Sequence, residues 1–171
     1  MKVFIVFLAL MFVNVNMMIF QNDLSVYRAV QNSLKETAED CAYAASLYTD
    51  DVSYADGYLK FDCEAGIQYI EHRINEYRNK AGKIGISNIS YNVYFFDEYG
   101  TCRIYINGAG SGEKNAISYP YDFVSLIGQN ELITEPCVKV EISADTSNVF
   151  RHEFINANNT VRSSEYGARP Y

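Results

Sequence analysis

The stretch Val3–Phe20, VFIVFLALMFVNVNMMIF, limits what this chain can become more than any other. Its 18 residues carry no charge, and only Asn14 and Asn16 interrupt the apolar run. A helix of that length is about 27 Å long, close to the ~30 Å thickness of a bilayer hydrocarbon core. Three structures suit such a run: a membrane anchor, a cleaved signal peptide and a buried core helix. Lys2 supplies the basic start of a signal peptide, but VNVNMMIFQND offers no small-x-small cleavage site. A terminal apolar run of this length behind a lone lysine is an unusual core helix. The expectation is therefore a retained transmembrane anchor over residues 1–20. Lys2 and the terminal amine would stay cytoplasmic, and residues 21–171 would form a domain outside the cytoplasm. Asparagine is costly in lipid unless it finds a partner. Asn14 and Asn16 therefore either lie near the outer interface or mark a contact with another helix of an assembly.

The helical pattern continues past the apolar run. Between Phe20 and Thr49 there is no Gly and no Pro. Apolar residues recur in steps of three and four at Leu24, Tyr27, Val30, Leu34, Ala38, Cys41, Ala42, Ala45 and Tyr48, with Asn22, Gln31, Lys35, Glu36, Glu39 and Asp40 on the other side. That periodicity predicts an amphipathic helix over 21–49, continuous with the anchor and on the order of 70 Å long in all. Two helices hinged near Gln21–Asp23 are the alternative. The small residues of Ala42-Tyr43-Ala44-Ala45-Ser46 allow another element to approach closely.

The remainder reads as α+β. Asp50-Asp51 and Asp56-Gly57 punctuate the chain before a short strand at Tyr58–Phe61. Asp62 then caps a helix from Cys63 to Lys80, with Glu64 in its first turn, Arg78 and Lys80 in its last and Gly82 to stop it. The apolar stripe of that helix is Ile67, Ile70, Ile74 and Tyr77. Ile84–Phe96 alternates, placing Ile89, Tyr91, Val93 and Phe95 on one face and Ser90, Asn92, Tyr94 and Phe96 on the other. The turn Asp97-Glu98-Tyr99-Gly100 leads into a second strand, Cys102–Ile106. Gly108–Ser118 reads as a loop too rich in glycine for a strand, and Tyr119–Gly128 has no clear pattern. Cys137–Ala144 alternates with Val138, Val140 and Ile142 inward, and Val149–Ile155 and Thr160–Ser164 suit edge strands. These elements predict an antiparallel sheet with one face covered by helices, the long helix foremost.

Composition narrows the function. After residue 20 the chain carries 13 Lys+Arg against 21 Asp+Glu with no basic cluster, which argues against nucleic acid. Hydrophobic residues make up 49%, too many for a disordered chain. The four cysteines, in an exported domain, suit either disulfides or buried thiols. Cys102 falls on the Ile104 and Ile106 side of its strand and Cys137 with Lys139 and Glu141 on the outward side, which disfavours that pair. Cys41–Cys63 would staple the loop between the two helices. Gaps of 22, 39 and 35 residues do not suit zinc.

No set of catalytic, metal-binding or cofactor-binding residues emerges. His72 and His152 both read as surface residues, and nothing sets a cysteine beside either. Gly108-Ala109-Gly110-Ser111-Gly112-Glu113-Lys114 matches neither a nucleophile elbow nor a phosphate loop. Asp50-Asp51 and Asp97-Glu98 suit solvated turns better than calcium ligands. Asn88-Ile89-Ser90 and Asn158-Asn159-Thr160 fit the N-glycosylation sequon. The 15 tyrosines exceed what a core needs, and tyrosine favours surfaces that are partly dry and partly wet. A tethered or secreted sugar- or peptide-binding module using exposed tyrosines is therefore a second functional expectation.

A basic start, an apolar helix running unbroken into an amphipathic one and a following antiparallel sheet together resemble the type IV pilin-like architecture. Asn22–Tyr48, followed by Tyr58-Leu59-Lys60-Phe61-Asp62 and a helix, is similar to TadE-like minor pseudopilins of Gram-positive bacteria. The resemblance spans roughly the first 80 residues. It implies a membrane-anchored, non-catalytic subunit whose partners are the membrane and other subunits of a surface filament or secretion pseudopilus.

Overall fold

The computed structural model describes residues 2–81, 86–145 and 160–167. The sequence expectations for Gly82, the start of the strand at Ile84, the strand Val149–Ile155, His152 and the Asn158 sequon lie outside these residues. The order of elements is α1 (Lys2–Ser46), α2 (Asp51–Ala55), α3 (Cys63–Ala81), β1 (Ser87–Phe96), β2 (Cys102–Ile106), β3 (Ala109–Lys114), β4 (Tyr121–Val124), β5 (Asn130–Ile133), β6 (Cys137–Asp145) and β7 (Thr160–Gly167). The fold is α+β. One sheet has the strand order β3-β2-β1-β6-β7, and β4 and β5 form a separate hairpin. Every pairing is antiparallel.

α1 is one helix of 45 residues without a break at Gln21–Asp23. Its inner half buries Val30, Leu34, Ala38, Cys41, Ala42 and Ala45, which are six of the nine apolar positions expected to face the domain. Leu24 and Tyr27 are half-buried, and Tyr48 lies beyond the helix end and is exposed. α3 buries Ile67, Ile70, Ile74 and Tyr77, the stripe its periodicity predicts. Asp62 caps it by accepting the Ala65 amide at 3.1 Å. Gly66 lets the Phe95 ring close on this helix: a Cβ there would stand 3.1 Å from the ring. Arg73 joins the two helices through Asp40 at 2.9 Å.

These helices cover the Tyr91, Val93, Phe95, Val138, Val140 and Ile142 face of the sheet and complete the main core. The opposite face is not open. The β4–β5 hairpin covers part of it and seals a second core of Tyr94, Phe96, Cys102, Ile117, Phe123, Ile133 and Cys137. Polar alternation in β6 therefore misleads. Lys139 and Glu141, expected outward, are buried beneath that hairpin.

Two further expectations need correction. Tyr58–Phe61 is not a strand; a single bridge joins Thr49 to Phe61 and ties the end of α1 to the start of α3. The intervening residues form the short helix α2, capped by Asp50, whose side chain accepts from the Ser53 amide. Gly108–Ser118 is not all loop, because β3 pairs with β2 over residues 109–114 although every β3 side chain is exposed. A strand without burial has no hydrophobic pattern to read. The available signal was Asn107-Gly108, whose φ values of 48° and 82° suit a two-residue hairpin turn.

Candidate functional site

The outer half of α1 is the most unusual surface of the protein. From residue 2 to residue 20 every residue is exposed except Asn16 and Ile19, which are half-buried, and the first buried residue is Asp23. Soluble monomers rarely expose more than a few hundred Å² of continuous apolar surface, so a surface like this needs lipid or protein around it. The helix is long and apolar enough to cross a membrane. Asn14 and Asn16 each donate their side-chain amide to the carbonyl four residues back, Leu10 at 2.9 Å and Phe12 at 2.8 Å. That bond offsets part of the cost of an amide in lipid and leaves the side-chain oxygens as acceptors. Residues two apart on a helix are turned about 200° from one another. The two asparagines thus lie on opposite sides of α1, and one flat contact cannot use both.

All four cysteines are buried free thiols. Cys41 and Cys63 share the main core, while Cys102 and Cys137 share the second. Both Cys102 and Cys137 are register partners of Phe96, on its two sides. They therefore lie on the same face, contrary to the expected opposite faces. With β1 between them they are about 10 Å apart, too far for a bond. Burial pushes the Cys41 and Cys102 thiols up to about 12. Cys63 is raised by burial as well, and Arg103, whose Nη1 donates to its sulfur at 3.3 Å, opposes the shift.

Asp97 of the expected solvated turn is buried. Its carboxylate accepts the Phe61 amide at 2.9 Å and the Thr101 hydroxyl at 3.1 Å, with Arg103 Nη2 3.7 Å away. Burial nevertheless holds the Asp97 carboxyl above its ordinary value. Glu98 accepts the Leu59 amide at 2.8 Å, so both acids fasten the segment before α3 to the β1–β2 turn. This is a structural use, and no group of three metal-ligating side chains gathers among the described residues. His72 is exposed, 3.6 Å from Glu76, on the polar side of α3.

The tyrosines separate by position. Tyr91 and Tyr94 of β1 are buried, so the sheet offers no tyrosine platform there. Exposed tyrosines occur instead around the far end of α1 and the neighbouring turns: Tyr43, Tyr48, Tyr54, Tyr58 and Tyr99. Tyr58 and Tyr99 stack with centroids 5.0 Å apart. A shallow depression lined by Arg78, Ile86, Asn88 and Ile89 has about 260 Å³ of room, below the ~300–1,000 Å³ of ordinary ligand clefts.

No protein-family model, no curated protein and no solved structure matches the chain.

Proposed function

We propose that this protein is a non-catalytic, membrane-anchored subunit of pilin-like type. Its domain stands outside the cytoplasm and joins other subunits of a surface filament or secretion pseudopilus. The observation that carries this reading is the division of α1: one unbroken helix exposes its outer half and builds the domain core with its inner half. An anchor of that design transmits its position in the bilayer directly to the domain. Carbonate extraction of cell membranes should leave the chain in the pellet. Protease added to whole cells, after removal of any wall, should digest the domain. Recovery of the full-length chain in the soluble fraction would overturn the anchor, and a protected domain would overturn the orientation.

The stacked Tyr58 and Tyr99 favour one second reading, a tethered sugar- or peptide-binding module. Saturable quenching of tyrosine fluorescence by one member of an oligosaccharide or peptide panel, lost in Tyr58→Ala and Tyr99→Ala, would support it. Absence of any such response would leave the assembly role alone.

A further inference from the structure

Lys139 is buried, its side chain 1% exposed. It rises from β6 into the second core, beside Glu141 on the same face, whose side chain is also 1% exposed. Lys139 Nζ is in direct contact with Glu131 Oε2 of β5 and stands 3.7 Å from Glu141 Oε1. The Phe123 ring lies 5.4 Å from Nζ and packs edge-on against Tyr94 and Phe96, which screens the amine from water. Tyr94 donates its hydroxyl to Glu141 Oε2 at 3.0 Å, whereas Glu141 Oε1 is buried with no hydrogen-bond partner.

Lys139 and Glu141 are almost fully withdrawn from water, whereas Glu131 is 40% exposed and Lys114 Nζ lies 6.0 Å from the centroid of the same Phe123 ring. Withdrawing ions from water is costly, and a buried carboxylate oxygen without a donor adds to that cost. Proton transfer from Lys139 to Glu131 would remove two of the charges and leave a neutral amine against a carboxylic acid. In water such a pair stays ionic because hydration stabilises the ions. When that proton is transferred, a neutral amine held in contact with a carboxylic acid can condense with it to an amide.

We propose that Lys139 and Glu131 form an intramolecular isopeptide bond, with Glu141 transferring the proton. One ammonium proton passes to Glu131 across their contact. Nζ then attacks Glu131 Cδ, the Nζ–Cδ bond forms and one Cδ–O bond breaks. Glu141 Oε1 takes a second proton from Nζ and returns it to the departing oxygen. The two protons leave with that oxygen as one water, and Nζ keeps one hydrogen as an amide. Nothing is oxidised or reduced, and no co-reactant is consumed. Glu131 is 40% exposed, which gives the water a way out. The bond would fasten the β4–β5 hairpin to the main sheet, where Tyr94 also holds it by accepting the Leu126 amide at 3.1 Å. None of this depends on whether α1 sits in a membrane.

Mass spectrometry of the full-length protein, reduced and denatured, decides the matter. The wild-type chain should be one water lighter than its sequence. Trypsin should fail to cut after Lys139 and should release residues 115–151 as one peptide lacking one water. Glu131→Ala, at a half-exposed position, should restore the full mass and the cut after Lys139. Glu141→Gln keeps the shape of the side chain and should reduce the bonded fraction at least tenfold. A wild-type chain of full mass that is cleaved after Lys139 overturns the proposal, and so does a water loss that persists in Glu131→Ala. Full bonding in Glu141→Gln would remove Glu141 from the reaction.

Discussion

At the scale of single residues, burial decides how the sulfurs behave. The thiolate is the reactive form, and the Cys41 and Cys102 thiols are pushed to about 12. Native protein in detergent at pH 8 should therefore react with an aromatic disulfide reagent only slowly. All four thiols should react once the chain is unfolded. Titration of two thiols instead of four after unfolding would reveal a disulfide, with Cys41–Cys63 the expected pair because both lie in one core. Backbone geometry sets a second limit, at Gly100. Its φ is +73°, and a Cβ there would collide with the Ile117 carbonyl oxygen. Gly100→Ala combines a left-handed backbone with that clash and should lower stability by roughly 1–3 kcal/mol in denaturant melts. Gly57 also has a positive φ, but a Cβ there would meet nothing within 4 Å, so Gly57→Ala should cost less than Gly100→Ala.

At the scale of elements, local capping and distant covering act differently. Asp62 satisfies an amide that the first turn of α3 cannot satisfy internally. Asp62→Ala should lower stability by about 1 kcal/mol, read as a shift in urea midpoint with an unchanged slope. Asp62→Asn should keep most of it. Such caps are visible in a sequence because the cap and its helix are neighbours. The stripe Ile67, Ile70, Ile74 and Tyr77 and the strand Cys102–Ile106 were legible for the same reason: their signal is local period. What escaped was non-local. β3 has no buried side chain, so only its Asn107-Gly108 turn could announce it. Lys139 and Glu141 read as outward because nothing nearby in sequence says that β4 and β5 fold over them. Cys102 and Cys137 could not be placed on one face without the strand order β2-β1-β6, which puts Phe96 between them. In the candidate membrane segment the asparagines themselves were legible. Their placement on opposite sides of α1 follows from their spacing of two, and their bonds to Leu10 and Phe12 came only with the structure.

At the scale of the whole molecule, the two halves of α1 differ in what they bury. No residue before Asp23 belongs to either core, while Val30, Leu34, Ala38, Cys41, Ala42 and Ala45 are almost completely withdrawn from water. Truncating one of those buried positions, as in Leu34→Ala, creates a cavity of the kind that costs about 2–5 kcal/mol. Removing residues 2–20 creates none. Both cores stay intact, the helix loses only the backbone bonds that residues 21–24 make to the carbonyls of residues 17–20, and the surface that disappears is mainly apolar and exposed. The shortened chain should therefore move from the membrane to the soluble fraction while unfolding within ~0.5 kcal/mol of the detergent-solubilised parent, the margin usual for surface changes. Its circular dichroism should lose only the helix contributed by the deleted residues. A cooperative loss of the β signal on the same deletion would mean that the outer half of α1 also supports the domain. A deletion that stayed with the membrane would assign the anchor to another surface. If the expected result holds, the apolar half of α1 acts in location, and the inner half carries the fold.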